Sequence, residues 1–79
     1  MDGAHVLKRH ESMVIIRRAA HVIKGAAANL MCEDLRSSAA NLESAAASNS
    51  PAELIYNLSV ELGYAYSRFV EFVKNNAQP

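Results

Sequence analysis

"IIRRAAHVIKGAAANL", residues 15–30, decides the fold. At the ideal helical 100° per residue, Ile16, Ala20, Ile23, Ala27 and Leu30 fall on one stripe, with Ile15, Ala19, Val22 and Ala26 beside it. An apolar face this wide is what a core-facing α-helix needs. The spacing predicts a helix over residues 4–30, with Asp2 or Gly3 placed to cap its start. Gly25 is the anomaly. A glycine inside a helix costs roughly 1 kcal/mol relative to alanine, and alanine is used freely around it. The missing side chain must serve something other than the helix.

The pattern continues on the C-terminal side. Leu35, Ala39, Leu42 and Ala46 share a face, which predicts a second helix over residues 33–47 that dissolves into the turn-forming "ASNSP". A third helix begins there, with Ser50 as N-cap, Pro51 in the first turn and Glu53 completing a capping box. Leu54, Leu58, Ala65, Phe69 and Phe72 form one stripe along it, and Ile55, Leu62, Tyr66 and Val73 another. Lys74, Asn75 and Asn76 suit its end. The expected fold is all-α: an antiparallel helical bundle of three helices forming a single domain over residues 1–79. The stripes on the two long helices are wider than one neighbour can cover. This implies a four-helix core completed by a missing N-terminal helix or by a partner chain, with a symmetric homodimer the expected solution.

Composition narrows the classes. A 79-residue chain is one small domain. Half its residues (51%) are hydrophobic, many of them alanine, which favours helix. Eight basic and eight acidic residues balance, arguing against a general nucleic-acid binder. Cys32, the single cysteine, cannot form an intrachain disulfide and suits a reducing, cytoplasmic setting. No apolar run approaches the roughly 20 residues of a membrane span, and the opening "MDGAHVLKRHE" is too polar for a secretory signal. No His/Cys/Asp/Glu cluster has zinc spacing. His10 and His21 lie about 16 Å apart along a helix, too far to share a metal.

His21 projects from the side of the first helix opposite the Ile16/Ile23 stripe. Arg17, Arg18 and Lys24 surround it, and Gly25 and Ala28 lie on the same side. A histidine on a helix is ordinarily a solvated surface residue; three cations within a turn and two very small neighbours set this one apart. The cations disfavour the imidazolium form. The neutral ring has a free lone pair and is a nucleophile. The same cations would hold a phosphoryl group once attached, and the small residues let another protein's surface come close.

These residues resemble the signature of histidine-containing phosphotransfer domains, the phosphocarriers of multistep two-component relays. The family pattern reads approximately A-H-x-[LI]-K-G-[SA]-[SA]-x-x-[LM]-G-x-x-x-L. Here Ala20, His21, Ile23, Lys24, Gly25, Ala26, Ala27, Leu30 and Leu35 match it in register, and "AANL" and Leu42-Glu43 are similar to the family as well. The resemblance implies a phosphocarrier in which His21 takes a phosphoryl group from a receiver-domain aspartate and passes it to another. Lys24 would screen the phosphoryl oxygens, and Gly25 would admit the receiver's loops. Arg17 and Arg18 would orient an acidic receiver surface, with Ala28 in the same contact. No cofactor is implied in this chain; the Mg²⁺ that assists transfer would belong to the receiver. Where the family usually has a glycine closing the histidine helix at positive φ, this chain has Met31, so the helix either strains there or ends differently. Two other readings remain: a helical interaction or dimerisation module that carries no phosphate, and a dimerisation fragment of a histidine kinase. Such kinases usually place an acid directly after the histidine, where this chain has Val22.

Overall fold

The computed structural model describes residues 9–77. Three helices run in chain order: α1 (Arg9–Asn29), α2 (Glu33–Ala47) and α3 (Ala52–Asn76), with no strand among the described residues. The expected first turn of α1, residues 4–8, lies outside them. The connections are short, residues 30–32 and 48–51, so successive helices are antiparallel neighbours. The core reflects this order. Ala27 near the end of α1, Leu35 near the start of α2 and Ala65 of α3 share one core cluster. Met13 near the start of α1 meets Leu42 and Ala46 of α2 and Ile55 of α3.

Alanine sets how closely the helices approach. Ala20, Ala27 and Ala39 are fully buried, and Ala65 nearly so, whereas no larger side chain among the described residues is completely enclosed. α2 is the central helix. α1 and α3 each pack against it, and their own backbones do not come within 8 Å of each other. Diagonal helices of a four-helix bundle stand in the same relation. Ile15, Val22, Tyr66 and Val73 of the flanking stripes are left exposed, and so are Leu54 and Phe72 of the expected main stripe of α3, whereas Ile55 of its flanking stripe is buried. Two ties fix the ends. The Arg68 guanidinium donates to the Asp34 carboxylate, at 2.8 Å from Nε, holding α3 to the first turn of α2. Arg9 donates to the Ser50 carbonyl, holding the start of α1 to the second connection.

Both connections begin with the same helix stop. Met31 N–H reaches the Ala28 carbonyl and Cys32 N–H the Ala27 carbonyl, at 3.1 and 2.9 Å. After α2, Asn49 N–H reaches Ala46 and Ser50 N–H reaches Ala45, at 3.1 and 3.0 Å. These paired bonds are Schellman closures, which need a left-handed residue just past the helix. Met31 (φ 57°) and Asn49 (φ 55°) occupy that position. Asparagine tolerates it; methionine adopts it only at a cost of roughly 1–2 kcal/mol. Met31 thus closes α1 where a glycine would be at ease. Its side chain is 90% exposed, so it returns little in packing. Met31→Gly should stabilise the chain by about 1 kcal/mol, read as a rise in melting temperature of about 4–8 °C. A fall would mean that the Met31 side chain carries packing not accounted for here.

Two local expectations fail for reasons the backbone supplies. Leu30 lies beyond the last turn of α1 and is 60% exposed, because the Schellman closure ends the stripe at Ala27. The capping box at Ser50 does not form. Ser50 N–H is engaged in closing α2, and Pro51, with ψ 150°, stands at the N-cap instead with no side-chain hydrogen bond. Its carbonyl accepts the Ile55 N–H.

Candidate functional site

α1 presents His21 with its side chain 67% exposed, on the outer side of the α1–α2 contact. The burial of Ala20 and Ala27 against α2 and α3 fixes the rotation of α1, and that rotation turns His21 outward. Across the contact, Glu43 of α2 places Oε2 2.8 Å from His21 Nδ1. Its Oε1 lies 2.6 Å from Lys24 Nζ. One carboxylate thus holds both His21 and Lys24 of α1. It follows Leu42, one of the best-buried residues of α2, so its position is set by the core.

The electrostatics assign the protons. Donated hydrogen bonds from Lys24 and then from His21 hold the Glu43 carboxyl below its ordinary value. An ionised carboxylate only accepts, so the shared proton sits on His21 Nδ1. In the neutral ring Nε2 then carries the lone pair and faces solvent. His21 was expected to stand among cations alone; the fold adds an acid. Glu43 steadies the Nδ1–H tautomer and can balance positive charge that develops on the ring.

Because the Glu43 carboxyl is held low, its link between α1 and α2 is complete above the ordinary carboxylate range. The link is lost as pH falls through the lowered value. The melting temperature of the wild type should therefore drop more steeply between about pH 7 and about pH 3 than that of Glu43→Gln. Equal slopes would show that the pair adds nothing to the folded state.

The remaining site residues separate into groups. Arg17, Arg18, His21, Val22 and Glu43 line one open groove. Ala28 is exposed but lines a different depression, with Met31, Glu33 and Arg36. Gly25 is exposed, and a Cβ built on it would meet nothing within 4 Å. Its φ is not positive. Neither backbone geometry nor internal packing therefore requires a glycine at this position. His10 is exposed and lines a separate groove with Met13 and Ala46, whereas His5 lies outside the described residues. Among the described residues no group of three or more His, Cys, Asp or Glu is placed to hold a metal ion. No described helix is long and apolar enough to cross a membrane.

Glu43 is the site residue that spacing could not find. It lies 22 residues from His21 in the chain, and only the α1–α2 register brings them together. Compared with protein-family models, with curated proteins and with solved structures, the chain matches none.

Proposed function

We propose that this chain is a histidine phosphocarrier of the phosphotransfer-domain type, working in the cytoplasm between receiver-domain aspartates. The observation that carries the reading is the exposed His21 ring, held at Nδ1 by Glu43 and open at Nε2. In the forward step the Nε2 lone pair attacks the phosphorus of an aspartyl phosphate in line. The P–N bond forms, the P–O bond to the aspartate breaks, and the carboxylate leaves with that electron pair. The ring keeps its Nδ1 proton, becomes cationic, and is balanced by Glu43. Lys24 lies within reach of the new phosphoryl oxygens and can exchange its Glu43 contact for them. The return step onto a second receiver reverses these events. Mg²⁺ would reside in the receiver.

Gly25 supports the same reading, since it leaves space beside His21 that the chain itself does not use. Arg17 and Arg18 in the groove suit an acidic partner. The uncovered stripes on α1 and α3 support the further proposal that the chain works as a homodimer.

The test is phosphoryl transfer from a phosphorylated receiver to this chain and to variants of it. Lys24→Ala should stay folded and transfer about tenfold more slowly. Gly25→Gln should melt no lower than wild type, because glutamine is the better helix former, and yet transfer poorly. A Gly25→Gln chain that transfers normally would remove the docking role of the glycine. Normal transfer by Lys24→Ala would remove the lysine from the site.

A further inference from the structure

Gly63 occupies the middle of α3, exposed and without positive φ, and a Cβ on it would also meet nothing within 4 Å. Nothing among the described residues explains a residue so unfavourable in a helix interior. Its neighbours along one flank of the core face are Tyr56, Ser59, Tyr66 and Val73, all exposed, and the half-buried Val70. With Gly63 they alternate in steps of three and four, the spacing of a helix-pairing seam. Tyr56, Tyr66 and Val73 are 69%, 58% and 43% exposed. The Ser59 hydroxyl donates to the Ile55 carbonyl, so it asks nothing of a partner and acts as a small side chain. The outer face of α2, by contrast, is polar, with Ser37, Asn41, Ser44 and Ser48 exposed.

We infer that this seam is the dimer contact, with α3 pairing antiparallel to α3 of a second copy so that Gly63 of each faces Tyr66 of the other. This rests on the self-association proposed above and not on the phosphoryl chemistry. Size complementarity selects the orientation. In the antiparallel register Gly63 lies opposite Tyr66, Ser59 opposite Val70 and Tyr56 opposite Val73, and two-fold symmetry repeats each layer. In a parallel pair Gly63 meets Gly63 and Tyr66 meets Tyr66, leaving voids beside crowding. Charge selects the same answer. Glu53 and Lys74 flank the seam at opposite ends of α3, and antiparallel pairing sets each against the other's counterpart twice. Lys74 now reaches Glu71 only at 3.9 Å, with both side chains about two-thirds exposed, so this contact is readily exchanged. A parallel pair would keep Glu53 and Lys74 at opposite ends of the seam, with no such pairing. The exposed Ile15/Val22 stripe is the uncovered face of α1. It borders the His21 groove, which Val22 helps to line.

Sedimentation equilibrium of the full chain tests the inference. Wild type should dimerise, and Gly63→Gln should raise the dimer Kd about tenfold to hundredfold through steric conflict with Tyr66. It should remain helical by circular dichroism. Glu53→Lys and Lys74→Glu should each weaken the dimer about two- to tenfold, and the double variant should recover it. Spin labels at Asn75→Cys in a Cys32→Ala background should lie about 30 Å or more apart. A wild-type monomer would overturn both this inference and the self-association. A dimer indifferent to Gly63→Gln, or labels closer than about 20 Å, would overturn the α3 register alone.

Discussion

A His21→Gln chain should fold as the wild type does and should take no label from a phosphorylated receiver. The first half follows from exposure: the ring lies outside both core clusters, and its one polar contact is a solvated pair with Glu43. Exposed pairs of this kind contribute little to stability, so the melting temperature should stay close to that of the wild type. The second half follows from chemistry, since glutamine offers no ring nitrogen with a free lone pair. His10, which remains in the variant, should not substitute, because it shares neither Glu43 nor Lys24. Persistent labelling of His21→Gln with normal kinetics would place the acceptor elsewhere.

Leu42→Ala should have the largest effect on stability. Leu42 is 5% exposed and belongs to the cluster that draws Met13 and Ala20 of α1 and Ile55 of α3 onto α2. Large-to-small changes at such sites cost about 2–5 kcal/mol. A domain of this size holds only about 4–12 kcal/mol in total. Melting should fall by about 15 °C, and the Glu43 contact with His21 should loosen with it, because Glu43 is the next residue. A loss below about 1 kcal/mol would mean that the core does not close around α2.

The helices were legible because their apolar residues recur with helical period, and Ala20, Ala27, Leu35, Ala39 and Leu42 are buried as that period requires. The exposed His21 was legible for the complementary reason: it falls opposite that stripe. Less local features were hidden. The Glu43 bridge depends on how α1 and α2 slide past one another, which no spacing within α1 reports. The Schellman closure at Met31 could be anticipated only as one of two outcomes, since its side chain opposes the conformation that its hydrogen bonds require. The same closure removed Leu30 from the core, and its counterpart at Asn49 drew the Ser50 N–H away from the expected cap. The misses at Leu30, Met31 and Ser50 lie at helix ends, where backbone hydrogen bonds compete with side-chain pattern.

The most direct measurement is the chemical stability of the label that wild type acquires from a receiver carrying radioactive aspartyl phosphate. A phosphoramidate at His21 should survive alkali, be lost in acid, and map to the peptide containing residues 19–24. An unlabelled chain in the presence of a competent phosphorylated receiver, or a label mapping to any other residue, would contradict the phosphocarrier reading.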